Sequence, residues 1–296
     1  MDAANARVLV IGGSGFVGRH LRSSEARYTS LYTYYSNPFT DGVYYDLRSD
    51  ILPTLIRDND VTHVLFLGGI VKFSALTENP DKARYINVEC TNKRISEVIS
   101  SGAVPVYVSS ESVFSGDKGN YTELETPIPI CEYGAQKVCV EKHIRDSAEE
   151  HLILRFSKVF SSDNQPRSIV TSWISQLVEN ENINVATDNI FCPIHAKDVT
   201  KNIEALICGS NSGTYHLCSP KAYTRAEMLA VVMESYSRHR AYSGEINRTR
   251  LHEIAGAEGL PLNTSMSCEK VEDVTGYRAS DFSYWARDIV EGYFNR

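Results

Sequence analysis

The chain has 296 residues, 42% hydrophobic and 23% charged, which fits a soluble globular protein and is too apolar for a disordered one. Thirty Lys+Arg stand against 37 Asp+Glu, a formal net charge of −7, so the basic excess of a general nucleic-acid or anionic-membrane binder is missing. No stretch approaches the ~20 apolar residues of a membrane span, and Asp2–Arg7 reads as a polar lead-in to a strand rather than an apolar leader.

The first two-thirds of the chain alternates short apolar runs with helix-like stretches. Strands are predicted at Arg7–Ile11, Thr29–Tyr34, His63–Leu67, Val104–Ser109 and Leu152–Phe156, each apolar enough for burial on both faces. Helical periodicity covers Val17–Arg27, Pro80–Ser101 and Tyr133–Glu149. Strand, helix, strand repetition implies parallel pairing by crossovers, hence an α/β protein with a Rossmann-type doubly wound sheet. After about Ser161 the rhythm loosens. Helices are predicted at Ser168–Asn180 and Asp198–Cys208 and a strand at Tyr215–Leu217; Thr224 and Glu227 form a capping box for a helix Ala226–Tyr236. Ser237–Pro261 is polar and irregular. With no repeat or linker, residues 1–160 read as a dinucleotide-binding domain to which 187–218 return. Residues 161–186 and 219–296 read as a smaller, interleaved substrate-binding lobe. The seven cysteines, irregularly spaced and without a Cys-x-x-Cys pair, read as reduced core fillers of a cytoplasmic protein; the eight histidines have no metal-ligand spacing and imply no metal.

Val8-Leu9-Val10-Ile11 runs into Gly12-Gly13-Ser14-Gly15-Phe16-Val17-Gly18, a Gly-x-x-Gly-x-x-Gly spacing between a strand and a helix. Gly12 permits the tight turn, Gly15 lets backbone amides approach a diphosphate, and Gly18 lets the helix pack close to the sheet. The helix start adds partial positive charge. Ser14, Phe16 and Val17 complete this predicted cofactor loop. A tight turn without a ligand has the same glycines. An NAD site usually has an acid after the second strand to hold the ribose hydroxyls. Here Leu31-Tyr32-Thr33-Tyr34-Tyr35-Ser36-Asn37 has none, and the nearest cation on the glycine loop is Arg19. The missing carboxylate favours NADP over NAD, with Ser36 beside the adenosine. Asp46-Leu47 closes a third short strand, where the Asp can bond an adenine amino group or sit in a surface turn.

Tyr133 and Lys137 lie four residues apart, one turn along a helix face. A phenol titrating near ~10 exchanges protons poorly at neutral pH, and a nearby ammonium stabilises its anion. Upstream, Val106-Tyr107-Val108-Ser109-Ser110-Glu111-Ser112-Val113-Phe114 ends a strand at the carboxyl edge of the sheet, where open α/β folds bind ligands. Ser110 is placed to donate to a substrate carbonyl, with Ser109 pointing the other way; either hydroxyl can instead cap a local turn.

In this order, the glycine loop, Ser109–Phe114 and Tyr133-x-x-x-Lys137 resemble the extended short-chain dehydrogenase/reductases. Further matches are Tyr85-Ile86-Asn87-Val88, Leu154–Phe160 and Pro193–Val199. The Ser-Ser-Glu-Ser-Val-Phe-Ser-Gly run is most similar to the dTDP-4-dehydrorhamnose reductase branch. The resemblance implies Tyr133 as general acid, Lys137 as its electrostatic partner and nicotinamide-ribose ligand, and Ser110 as carbonyl donor. It places Asn87 behind the cofactor and Gly68 and Gly69 where relatives have alanines lining it. Glu111, Ser112, Lys158 and His195 fall in substrate-contacting segments: Lys158 is placed for a diphosphate, while His195 can equally pack beneath the site. The implied function is NAD(P)H-dependent reduction of a keto group on a nucleotide-activated deoxysugar, in a possible homodimer formed through Pro80–Ser101 and Tyr133–Glu149. Two alternatives remain. One is a nucleotide-sugar epimerase. The other is a non-catalytic NADP-binding regulatory subunit resembling the beta subunit of methionine adenosyltransferase.

Overall fold

Side chains alternate across a strand, so a strand buried on both faces feeds two cores at once. In β1 (Arg7–Ile11), Val8 and Val10 enter one core and Leu9 and Ile11 another. The same parity sorts Leu65 from Val64 and Phe66 in β4 (His63–Phe66), and Val106 from Tyr107 in β5 (Val104–Ser110). It sorts Leu152 and Leu154 from Ile153 in β6 (Leu152–Phe156). With β2 (Thr29–Tyr34), β3 (Val43–Tyr44) and β11 (Gly213–Leu217) these strands form one seven-stranded sheet, in the order β11-β6-β5-β4-β1-β2-β3. Every pairing in it is parallel. The computed structural model describes residues 6–295 apart from 72, 164–167, 255–256 and 258. The predicted doubly wound sheet is the fold observed.

One layer holds α2 (Leu52–Asp58), α5 (Thr91–Ser100) and α6 (Glu132–Ser147), which pack on one another beside the Leu9/Ile11 core. The opposite layer holds α1 (Phe16–Arg22), α8 (Ala196–Cys208) and α10 (Glu269–Thr275). Helices α3 (Phe73–Glu78) and α4 (Pro80–Arg84) lead into α5. A third core joins α7 (Ile169–Glu179), α9 (Arg225–Tyr236) and α11 (Phe282–Phe294), through Trp173, Leu177, Met228, Val232, Phe282 and Val290. Short strand pairs surround it: β7 (Val159–Phe160) with β10 (Ile194–His195), β9 (Ile190–Phe191) with β12 (Tyr223–Thr224), and β8 (Ile183–Ala186) with β13 (Ile246–Thr249).

Several boundaries differ from the periodicity. Helix α1 stops at Arg22, because the Ser23 and Ser24 hydroxyls donate back to the carbonyls of His20 and Leu21 at 3.0 and 2.7 Å. The stretch predicted as one helix over 80–101 contains a π-helical turn, Tyr85–Cys90, marked by Thr91 Oγ1 donating to the Ile86 carbonyl five residues back at 2.9 Å. The segment 237–261 is not wholly irregular, since it carries β13 and a 3₁₀ turn, Leu251–Glu253. The capping box of Thr224 and Glu227 is present as predicted. All seven cysteines are free; five are buried, Cys131 is half-buried and Cys139 is exposed. Among the described residues no helix is long and apolar enough to cross a membrane.

One buried carboxylate ties the layers at the chain's end. Asp198, in the first turn of α8, accepts from Tyr277 Oη at 2.5 Å, from Trp285 Nε1 at 2.6 Å and from the Ser280 amide at 3.3 Å. Asp198→Ala strands these half-buried donors and removes an anion from a helix start. Chemical denaturation is expected to show a loss of about 3 kcal/mol.

Candidate active site

The β1–α1 turn is set by close backbone contacts. Gly12 has φ +93°, and a Cβ there would lie 2.8 Å from the Gly68 nitrogen at the end of β4. A Cβ at Gly18 would lie 2.6 Å from the Gly12 carbonyl oxygen. Thr33 in β2 pins the loop, its Oγ1 accepting from the Gly12 amide at 3.2 Å and its carbonyl from Gly13 at 2.8 Å. Gly15 is exposed and caps α1 without a side-chain bond, and no acid lies in the first turn. The first-turn amides are therefore left for a ligand, and their partial charge suits an anion. Ser14, Phe16 and Val17 lie half-buried around them. These residues fit the diphosphate of a dinucleotide. Gly68 would accept a Cβ at ordinary contact, whereas one at Gly69 would meet Asn87 Oδ1 at 3.0 Å. Asn87, in the π-turn, clamps this loop: it accepts from the Ile70 amide and donates to the Ile70 carbonyl and to Gln136 Oε1, each at 2.8 Å.

The adenosine end differs from the simplest expectation. Asp46 and Leu47 follow β3 rather than closing it. The Asp46 carboxylate is gripped by Arg48, whose Nε lies 2.9 and 3.0 Å from its two oxygens; these bonds hold the carboxyl below its usual range. Arg48 also donates to Tyr35 Oη at 3.1 Å. Tyr35 stacks on Tyr44 with ring centres 6.2 Å apart, and both are exposed. Ser36 is exposed beside them. Arg19 instead turns to Asp163 at 3.4 Å. Arg48, thirteen residues from Tyr35 in sequence but bonded to it in space, is the cation that reading along the glycine loop missed.

Tyr133 and Lys137 rise from the start of α6 toward the carboxyl end of β5. Gly134 makes the approach possible, since a Cβ there would overlap the Ser112 carbonyl oxygen. Lys137 Nζ donates to the Val108 carbonyl at 2.8 Å and lies 4.6 and 5.5 Å from the ring centres of Tyr107 and Tyr133. Burial pushes the Lys137 ammonium down to about 8, opposed by the Glu141 carboxylate. Burial also pushes the Tyr133 phenol up, with Cys131 and Glu111 adding to the rise. In the free protein desolvation outweighs the neighbouring ammonium, and Tyr133 stands as a protonated donor; the lowered phenol expected from the sequence also calls on an oxidised nicotinamide. Ser110 Oγ accepts from the Ser112 amide and donates to Ser112 Oγ, both at 3.2 Å, so it caps the 3₁₀ turn Glu111–Val113. Ser109 points the other way, onto Glu141 at 2.6 Å.

Beyond Tyr133 lies a charged group built from four segments. Glu111 accepts from Ser157 Oγ at 2.6 Å. Burial raises its carboxyl, against the pull of Lys158 and Arg225. Lys158 is exposed, yet the protein crowded around it still pushes its ammonium down, with Glu111 opposing. Arg225, the first residue of α9, is likewise lowered by burial and supported by Glu111. Its Nε donates to Asn189 Oδ1 at 2.6 Å, and Asn189 in turn donates to the carbonyls of Pro261 and Leu262 at 3.3 and 3.2 Å. Reading the sequence missed Arg225 and Asn189, which only the fold brings to Glu111. His195 is not drawn into this group. It is buried, stacks on Trp285 at 3.8 Å, meets the edge of Phe160, and caps α8 through Nδ1; burial pushes its imidazole down to about 3.

The model of the RmlD substrate binding domain matches residues 6–294. The chain belongs to this family. Relatives include the methionine adenosyltransferase 2 subunit beta of Pongo abelii, 25% identical over 92% of this chain and 83% of its own length. A dTDP-4-dehydrorhamnose reductase of Sinorhizobium fredii is 24% identical over 79% of this chain and 81% of its own. The crystal structure of dTDP-4-dehydrorhamnose reductase from Bacillus anthracis in complex with NADP superposes with a TM-score of 0.83 at 20% identity, covering 98% and 99% of the two chains.

Gly15 gives the sharpest test of the RmlD-family loop, because its φ of −72° is open to any residue and a Cβ there meets the Gly12 carbonyl oxygen at 3.2 Å, a contact a small shift relieves. Gly15→Glu is expected to keep stability within about 1 kcal/mol. It should abolish the rise in melting temperature that NADPH gives the unsubstituted protein.

Proposed function

We propose that this protein reduces a keto group on a nucleotide-activated sugar, using NADPH. What supports the reading is the Lys137 ammonium on the Val108 carbonyl of β5, 5.5 Å from the Tyr133 ring, with Ser110 ending the same strand and a glycine loop suited to a dinucleotide diphosphate. A reduced nicotinamide bound there supplies hydride to a carbonyl carbon. Tyr133, protonated in its buried setting, gives its proton to the carbonyl oxygen. The Lys137 ammonium stabilises the phenolate that is left. Ser110 exchanges its long 3.2 Å bond to Ser112 for the same oxygen and steadies the charge developing there. On the substrate side, Lys158 and Arg225 clamp the nucleotide diphosphate, with the Glu111 carboxylate as the anion that supports both cations. The relatives named as reductases and the reductase structure with NADP support this reading. So does the adenosine end, where no acid follows β2 and Asp46 is already neutralised by Arg48.

Tyr133→Phe is expected to lower turnover of dTDP-4-dehydrorhamnose with NADPH by at least ~10²-fold, leaving the NADPH-induced rise in melting temperature intact. An unchanged rate removes the phenol from the chemistry. Arg225→Ala should raise KM for the sugar nucleotide about tenfold or more with kcat little changed. The kcat/KM of the unsubstituted protein should fall as pH rises past about 8, where Lys137 loses its proton.

The relative named as a subunit of methionine adenosyltransferase favours a second reading, a regulatory subunit that keeps the dinucleotide site. A stoichiometric complex with a methionine adenosyltransferase catalytic chain in size-exclusion chromatography, with no NADPH oxidation by ketosugar nucleotides, would decide for it.

A further inference from the structure

The carboxyl end of β5 and the inner face of α6 are joined by polar links at successive positions. Ser112 O abuts Gly134, Val108 O takes the Lys137 ammonium, and Ser109 Oγ meets Glu141. Tyr133, Lys137 and Glu141 follow at four-residue intervals, so they share a helix face. Glu141 is fully buried, and four donors hold its carboxylate. Oε1 accepts from Ser109 Oγ at 2.6 Å and Arg155 Nε at 3.0 Å; Oε2 accepts from Arg155 Nη2 at 2.7 Å and Arg145 Nη1 at 3.1 Å. Arg155 is equally buried, in β6, so the pair spans helix and sheet.

We propose that Glu141 is a positioning residue of the active site: through Ser109 and Arg155 it fixes the Lys137 turn of α6 against β5, and its carboxylate is the buried counter-charge one helical turn from the Lys137 ammonium. A fixed anion at that distance acts strongly where water is excluded. It is also the charge that opposes the burial of Lys137. The other groups around the ammonium are Tyr107 from β5, pushed well above its usual range by burial, and Tyr133, so neither competes as an anion at neutral pH. Around Glu141 lie the cations Arg145 and Arg155. Past Arg155 stands His216 of β11, 3.4 Å from its Nη1 and held neutral by burial, with Glu123 accepting from the His216 amide at 2.9 Å. Glu141 is thus the anion closest to Lys137 along its helix, and Ser109 carries its grip to the residue next to Ser110.

The inference rests on the catalytic reading of Lys137, but its test needs no substrate. The full chain is labelled with ε-¹³C-lysine, and the Lys137 resonance, assigned by its loss in Lys137→Arg, is titrated by NMR. Glu141→Gln is expected to move the Lys137 midpoint to lower pH by about half a unit or more. Because Glu141→Gln leaves Arg155 buried without its partner and can impair folding, Glu141→Gln/Arg155→Met is titrated alongside; it removes both charges of the buried pair. The same downward shift in the folded double variant supports the proposal. A midpoint that stays in place while only the melting temperature falls overturns it, leaving Glu141 a structural residue. Failure of the catalytic reading shows separately, as an active Tyr133→Phe.

Discussion

Lys137 reaches across 2.8 Å to the carbonyl of Val108, and the geometry of the whole site follows from that span. The bond exists because α6 lies unusually close to the end of β5, and α6 lies close because Gly134 has no side chain to collide with Ser112. The same approach brings the Tyr133 phenol and the Ser110 hydroxyl to one edge of the sheet. It also takes water away from all of them. Desolvation then works in opposite senses, keeping the phenol protonated and making the ammonium easier to discharge. Two neighbouring groups displaced in opposite senses mark a shared, poorly solvated site.

Much of this was legible in the sequence because the signals are local. Each central strand is a short apolar run, and the glycine spacing sits between one such run and a helix, so the sheet and its first turn could be read directly. Tyr133-x-x-x-Lys137 is one helical turn and reads the same way. The helix Phe282–Phe294 had a readable signal as well, in Asp281 followed by Phe282, Ala286, Ile289 and Val290, but it lies where the strand–helix rhythm no longer guides the eye. What could not be read were contacts made by topology. Arg225 feels the charge of Glu111, 114 positions away along the chain, only because the fold brings the start of α9 near the turn after β5. His195 lies in a stretch resembling substrate-contacting segments, yet the tryptophan it stacks on is supplied by the last helix. Burial energies are equally invisible, and in the free protein they push the Tyr133 phenol up.

The two ends of the cleft use charge differently. Near the glycine loop, backbone amides and a helix start provide diffuse positive potential, and Arg48 is spent on Asp46 and Tyr35. At the far end the positive charge is discrete, on Lys158 and Arg225, with Glu111 as the opposing charge.

The π-helical turn at Tyr85–Cys90 has a consequence for the neighbouring helix. One extra residue in a single turn rotates everything after it by about 100° relative to everything before. The apolar stripe of Ile95 and Val98 can therefore face the sheet while Asn87 faces the cofactor loop and Gln136. A chain lacking that single insertion would have to choose between a sealed core and a braced loop; this one has both, and the phase slip is the means.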